Sequence, residues 1–289
     1  VRNFQTLFDD AEPFLFEHAG YAPYGKLAFP AAHEDRPWTY ANFVQSIDGV
    51  ASFKGRHAAG GDIAQLAEDR WLMDLLRAHA DTIITGINTL VEETQNAPKL
   101  NDGRGPVYCI NDETLLDLRV KLGRRRENVI FVTASASIDP RAYRVFDGDR
   151  MDALILTTES GAARLKGRNL KAQVIVAGEN RTVDLPLAMH ILRTELGIQH
   201  LLCEGGPTLY GSMARAGMMD EKFVTISPVE IGLLVPPEQE TLPAAQTTQL
   251  NLRPTTFMYP GFTKENAPWW QWMSCRRVGD HQFNRYRRR

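Results

Sequence analysis

The 289-residue chain has little cysteine: Cys109, Cys203 and Cys275 are far apart and mostly embedded in apolar runs. No two stand at a metal-ligand or redox spacing, which argues against a disulfide scaffold and fits a reduced, cytoplasmic location. The seven histidines are equally scattered, with no pair on one helical face, so no metal centre is expected. No run approaches the roughly 18 apolar residues of a membrane span. Residues 1–19 carry acids inside their apolar stretch, against a secretory signal, and a chain opening on Val1 is expected to be trimmed. An excess of one charge is also missing. The 33 Lys and Arg against 35 Asp and Glu leave a net charge of −2, which excludes a surface tuned throughout to nucleic acid. The basic clusters, residues 124–126 and Arg285 with Arg287, Arg288 and Arg289, read as a solvated loop and tail, and no nucleic-acid partner is expected. There is no internal repeat, and the dinucleotide fingerprint G-x-G-x-x-G does not occur.

What is present is an ordinary globular balance, 43% apolar and 24% charged, in a chain long enough for a real core. Residues 1–37, rich in aromatics and broken by Pro13, Pro23, Pro30 and Pro37, read as an irregular arm wrapping over a main body at 38–289. From Trp38 onward short apolar runs alternate with helical patterns. Tyr40–Ile47 reads as a strand closed by the turn pair Asp48-Gly49. A Gly-rich loop at 55–61 leads into Ala64–His79, where Leu66, Trp71, Leu72, Leu75, Leu76 and Ala80 follow helical spacing. Thr82–Thr85, Pro106–Ile110, Val129–Thr133, Ala153–Thr157, Val174–Ala177, His200–Cys203 and Lys222–Ile226 read as strands. Leu185–Leu196 and Thr208–Ala216 read as helices stopped by Gly197 and Gly217. This alternation predicts an α/β fold with parallel neighbours and helices on the faces of the sheet. The end breaks the rule: Trp272–Val278 and His281–Tyr286 flank Gly279-Asp280, which predicts an antiparallel hairpin and therefore a mixed sheet.

Three segments carry chemistry. In Cys203-Glu204-Gly205-Gly206-Pro207-Thr208-Leu209 a strand ends and a helix begins. The glycines permit close backbone approach and positive φ, and the helix start offers free N–H groups and a positive dipole end to a phosphate. Pro207 suits a first helical turn, and Thr208 adds a hydroxyl. The plainer reading is a turn that needed glycine. Glu204 would be repelled by a phosphate, so its carboxylate should face a substrate hydroxyl or ring nitrogen, or else a salt-bridge partner. Thr85-Gly86-Ile87-Asn88-Thr89 ends another strand, and ligands of open α/β sheets bind beyond such ends. Arg77 either presents a guanidinium to an anion or is a surface cation near a helix C-terminus.

These segments occur in order with Phe43-Val44-Gln45-Ser46-Ile47-Asp48-Gly49, Leu75-Leu76-Arg77-Ala78-His79-Ala80-Asp81 and Gly86-Ile87-Asn88-Thr89. Together they resemble the reductase of riboflavin biosynthesis, in the family sharing the dihydrofolate reductase fold. The closing Arg277-Val278-Gly279-Asp280-His281-Gln282-Phe283-Asn284-Arg285-Tyr286 resembles its stand-alone members. No H-x-E with P-C-x-x-C occurs, so no deaminase part is expected.

The resemblance implies a mixed, mainly parallel sheet flanked by helices, and NADPH-dependent reduction of a ribosylaminopyrimidine phosphate to its ribitylamino form. It places Gln45 and Ser46 at the nicotinamide, Gly86, Thr89 and Glu93 by the cofactor, and Gly205, Gly206, Pro207, Thr208, Leu209 and on to Ser212 around its pyrophosphate. Arg77, Leu100, Arg104 and Glu204 would face the substrate, with the arginines on its phosphate. Glu204 and Asn42 are the catalytic candidates, Asn42 standing where bifunctional members carry lysine. Thr133 and Ser135 would meet the 2′-phosphate or cap the next turn. A homodimer is likewise implied. The rival readings are a reductase of the same fold for dihydrofolate or another pterin, with Glu204 or Glu93 as ring carboxylate, and a catalytically silent nucleotide-binding protein.

Overall fold

The computed structural model describes residues 3–11, 16–52, 60–124, 126–168, 170–232 and 261–289. Ten strands are found among them: β1 (Gln5–Asp9), β2 (Trp38–Ser46), β3 (Thr82–Gly86), β4 (Asn128–Val132), β5 (Asp152–Thr157), β6 (Gln173–Val176), β7 (His200–Cys203), β8 (Glu221–Ser227), β9 (Trp270–Val278) and β10 (His281–Arg288). They form one sheet in the order β1-β9-β10-β8-β2-β7-β3-β4-β5-β6. From β8 to β6 every pairing is parallel, whereas β10, β9 and β1 are added antiparallel. The central strands are covered on both faces, so their sequences run apolar without alternation, as in Val129-Ile130-Phe131 and Leu201-Leu202-Cys203.

Seven α-helices accompany the strands among the described residues: α1 (Gly60–Ala64), α2 (Ala67–His79), α3 (Ile87–Asn96), α4 (Glu113–Lys121), α5 (Glu159–Leu165), α6 (Leu185–Thr194) and α7 (Pro207–Arg215). One face of the sheet is packed by α2 through Trp71, Leu72, Leu75 and Leu76 and by α4 through Leu115 and Leu118. The other is packed by α6 and α7 through Ala188, Met189, Leu192, Leu209 and Met213. The mixed sheet and terminal hairpin are as the sequence patterning predicted. Val278 pairs with His281 across Gly279, whose φ of +57° suits the first central position of a two-residue hairpin turn.

Four local expectations need correction. Residues 106–110 join no strand: β3 is already bonded to β7 and β4, Pro106 has no N–H, and the Ile110 N–H donates to Glu127 Oε1 at 2.7 Å. The helix expected over Ala64–His79 is split at Gln65, whose φ is +43°. The arm is not wholly irregular, since β1 pairs with β9 and Phe4, Tyr21, Tyr24 and Leu27 are buried. The basic tail is a strand. Arg285 is buried against Glu221 and donates to Ala28 O at 2.7 Å, and the buried Arg276 donates to Tyr24 O at 2.8 Å, so buried guanidiniums hold the arm by its carbonyls. Arg124 is engaged as well, with Asp81 at 2.6 Å. Residue 125 and most of the Gly-rich loop lie outside the described residues.

Candidate active site

The site lies where β2, β7 and β3 end side by side at the centre of the sheet. Beyond Cys203 the chain is stitched to β3: Glu204 N donates to Ile84 O at 3.1 Å, Gly86 N to Gly205 O at 2.8 Å, and Thr85 Oγ1 to Gly205 O at 2.9 Å. The Gly205–Gly206 peptide is cis. Gly205 has φ +97°, a conformation that favours glycine, and a Cβ there would crowd Phe43 Cε1 at 3.2 Å. Gly206 is the N-cap of α7 and Gly86 that of α3, and neither helix start has a side-chain cap. The two starts abut, because a Cβ on Gly86 would lie 3.8 Å from Gly206 N. Their uncapped first-turn N–H groups and positive dipole ends are therefore neighbours, an arrangement that suits a pyrophosphate.

Beside this junction opens a cleft of about 570 Å³. Along one wall runs a stripe of α2 at helical spacing: Leu66, Asp69, Arg70, Met73 and Arg77. Thr89 and Glu93 of α3, Leu100, Tyr108, Asn42, Glu204 and Pro207 complete the lining that matters here. Arg77 and Glu204 meet in a bidentate pair, Nε to Oε1 at 2.6 Å and Nη2 to Oε2 at 2.8 Å, with both side chains under a tenth exposed. Burial alone would weaken the Arg77 charge, and the Glu204 carboxylate more than reverses that, so the guanidinium is held charged. Tyr108 Oη donates to Glu93 Oε2 at 2.6 Å. Burial pushes the Glu93 carboxyl above its usual range, against the pull of that hydrogen bond. The Tyr108 hydroxyl is pushed well up by burial and by Glu93.

Asn42, Arg77, Thr89, Glu93, Leu100, Glu204 and Pro207 are thus brought together at the cleft, with Gly86, Gly205 and Gly206 at the helix junction beside it. Arg77 is no surface cation. Glu204 has the salt-bridge partner that one reading of it expected, and it also lines the cleft. Gln45 and Ser46 are not part of the lining. Ser46 Oγ donates to Asp48 and accepts from Val50 N, which commits its hydroxyl to the turn after β2. Leu209 has its side chain in the core against the far face of the sheet, leaving its N–H to the helix start, and Thr208 is exposed there. Ser212 Oγ accepts from Arg215 Nη2 at 3.3 Å.

Arg104 departs furthest from expectation. Positive φ at Asn101, Asp102, Gly103 and Gly105 turns the loop outward. The Arg104 fork closes on Asp147 at 2.9 and 2.6 Å, outside the cleft lining. Thr133 Oγ1 accepts from Ala136 N at 3.0 Å and Ser135 Oγ from Ser137 N at 3.3 Å, so both hydroxyls cap the turn. Sequence reasoning missed Asp69, Arg70 and Tyr108. The spacing of 66, 69, 70, 73 and 77 along one helical face was the available signal for the first two.

The model of the RibD C-terminal domain matches residues 37–257. A curated relative from Methanothermobacter thermautotrophicus, named 2,5-diamino-6-ribosylamino-4(3H)-pyrimidinone 5′-phosphate reductase, is 29% identical over 198 residues, 68% of this chain and 80% of that protein. One of the same name from Archaeoglobus fulgidus is 26% identical over 197 residues, 68% of this chain and 83% of the relative. Among solved structures, a pyrimidine reductase-like protein from Corynebacterium diphtheriae superposes with a TM-score of 0.61 at 22% identity, covering 88% of this chain and 93% of that one, a likeness of fold. With a family model matching most of its length and a sheet whose central strand ends build the expected loops, the chain belongs to the RibD C-terminal domain family.

Proposed function

We propose that the chain is an NADPH-dependent reductase that converts a ribosylaminopyrimidine 5′-phosphate to its ribitylamino form, the reaction for which its two archaeal relatives are named. The observation that carries this is the adjacency of the two uncapped helix starts to a cleft holding a buried, charged Arg77–Glu204 pair. Gly86, Thr89, Gly205, Gly206 and the first turn of α7 would hold the cofactor. A Cβ on Gly206 would come within 3.3 Å of Thr89 Oγ1, so glycine there lets the starts of α3 and α7 sit close together. When bound, the nicotinamide supplies the hydride that ends on sugar carbon C1′.

The protein's own part is positioning. As the C1′–O4′ bond of the substrate breaks, its electron pair goes to O4′, which takes a proton, and the exocyclic nitrogen lone pair closes a C=N bond to C1′. Glu204, fixed by the Arg77 fork, offers its remaining lone pairs to the hydroxyls of the opened sugar. Arg77 commits its Nε and Nη2 to Glu204, so the phosphate falls mainly to Arg70, whose side chain is 47% exposed at the cleft and whose one ion-pair partner among the described residues is Asp74.

Preference for NADPH over NADH is supported by Arg164, which donates to Ser135 O at 2.7 Å and brings a guanidinium to the loop after β4. A homodimer is supported by Trp269 and Trp272, exposed at the antiparallel end of the sheet. A cytoplasmic location is supported by three buried free thiols. The division into an arm at 1–37 and a reductase domain at 38–289 is proposed in the sense that the arm docks on the domain through Arg276 and Arg285.

One observation favours the pterin reading: Asp69 is a cleft carboxylate pushed upward by burial. The deciding experiment is NADPH consumption with the ribosylaminopyrimidine phosphate beside dihydrofolate. Turnover on the pyrimidine that collapses in Glu204→Gln supports the proposal. Turnover on dihydrofolate alone replaces it with the pterin reading, and NADPH binding with neither turnover reduces the chain to a nucleotide-binding protein.

A further inference from the structure

Two acceptors on the cleft wall keep hydrogen-bonding capacity to spare among the described residues. Asn42 Oδ1 on β2 is buried and accepts no hydrogen bond among the described residues. Asp69, in the first turn of α2, has no ion-pair partner among those residues, because the neighbouring Arg70 guanidinium turns to Asp74 at 3.1 Å. The other inward carboxylates are committed, Glu204 to the Arg77 fork and Glu93 to the Tyr108 hydroxyl. Burial pushes the Asp69 carboxyl up, while the Thr225 hydroxyl, the His281 ring and Arg70 pull it down. The strand register joins the two acceptors. Asn42 pairs with Phe223 and Val44 with Thr225, so Asp69 stands over a sheet position one pleat repeat from Asn42. An acceptor left dry and unpaired costs free energy that a ligand rich in N–H groups would recover.

We infer that Asp69, with Asn42 beside it, reads the 2-aminopyrimidin-4-one edge of the substrate and makes this chain selective for that ring over the corresponding uracil. The inference rests on the reading that a ribosylaminopyrimidine phosphate occupies the cleft. The 2-amino group and the adjacent N3–H of the 2-aminopyrimidinone form two parallel donors that match both oxygens of a carboxylate. Uracil puts a carbonyl in place of the 2-amino group. Its lone pairs would face a carboxylate oxygen, and one buried acceptor would stay unpaired. Sites built to bond a specific donor reject analogues lacking it far more strongly than apolar pockets reject a missing methylene.

The test compares kcat/KM, with NADPH, for the 2,5-diaminopyrimidinone and 5-aminouracil forms of the ribosylamino phosphate. The wild-type chain should prefer the diamino ring tenfold or more, and Asp69→Asn should cut that ratio at least tenfold. Asparagine offers one acceptor and one donor, and its donor suits the uracil carbonyl. A purely structural role would lower both substrates alike, so an unchanged ratio in the folded variant overturns the inference. Should Asp69→Asn fail to fold, inhibition of the wild-type chain decides. Binding of 2,5,6-triaminopyrimidin-4-one at least tenfold tighter than 5,6-diaminouracil supports the inference, and equal binding overturns it. Turnover of neither phosphate would sink the reductase reading, while the inhibitor comparison would still judge Asp69.

Discussion

Arg285 and Glu221 meet across the antiparallel half of the sheet, and Arg77 and Glu204 meet at the mouth of the cleft. In the first pair Glu221 Oε2 takes Arg285 at 2.7 Å, its Oε1 takes Arg287 at 2.6 and 2.8 Å, and Arg285 spends a further donor on Ala28 O. Phe29 and Phe223 place their rings 5.0 and 5.4 Å from the Arg285 guanidinium. In the second pair the fork is as tight, but Arg77 Nη1 reaches only Asp74 and Cys109 O, both at 3.4 Å, and the carboxylate borders open space. Burial and pairing alone do not separate a structural charge from a working one. What separates them is whether hydrogen-bonding capacity is left over and whether it faces a cavity.

The largest effect should come from the saturated pair. Glu221→Gln leaves two arginines around a neutral amide, one of them fully buried, and stripping a partner from a buried ion pair costs about 3–5 kcal/mol. Denaturant unfolding should show that loss as a lower midpoint with little change in slope. The same substitution at the cleft should divide differently. Glu204→Gln keeps Arg77 near Asp74, so unfolding should shift less, while kcat/KM on the pyrimidine phosphate falls by about 1.5–3 kcal/mol, roughly 10- to 150-fold. Equal destabilisation by both substitutions, with kcat/KM intact in Glu204→Gln, would erase the distinction.

A third prediction sharpens the structural side. His79 lies under the arm with its Nε2 3.1 Å from Tyr21 Oη, and burial, then the charge of Arg124, holds its pKa well below the ordinary histidine value. The folded state thus keeps it neutral where the unfolded chain would protonate it. Its contribution is present above about pH 6.5 and is lost as pH falls below that, with a slope of at most about 1.4 kcal/mol per pH unit. His79→Gln should flatten the acid limb of a stability–pH curve. NADPH affinity above pH 6.5 should not follow it.

How much of this was legible in the sequence depends on whether the partner is local. The central strands, the glycine loops after β3 and β7 and the terminal hairpin announce themselves through runs and turn residues within a few positions. β1 does not, because Gln5–Asp9 is an exposed edge whose partner begins at Trp270. The closing arginines looked like a tail because Glu221, the residue that buries Arg285, stands 64 positions away. Asp69 sits between Glu68 and Arg70 and reads as one more surface charge until packing sets it over β8. The loop that carries Arg104 outward turns on successive positive φ values at residues 101–103, of which only Gly103 is a glycine.

That outward turn gives the smallest prediction. Arg104 and Asp147 make as good a bidentate fork as Arg77 and Glu204, at 2.9 and 2.6 Å, yet their side chains are 34% and 26% exposed and lie outside the lining of this cleft. Water already satisfies much of what each group would lose, so such a pair contributes about 0–1 kcal/mol. Arg104→Ala should therefore change unfolding by less than about 1 kcal/mol and leave KM for the pyrimidine phosphate within roughly twofold. Arg70→Ala, which removes the exposed cation of the cleft, should raise the same KM about tenfold or more. If the two results came out reversed, the phosphate would belong to Arg104, the loop at 101–105 would have to swing inward on binding, and exposure would be a poor guide to which guanidinium does the binding.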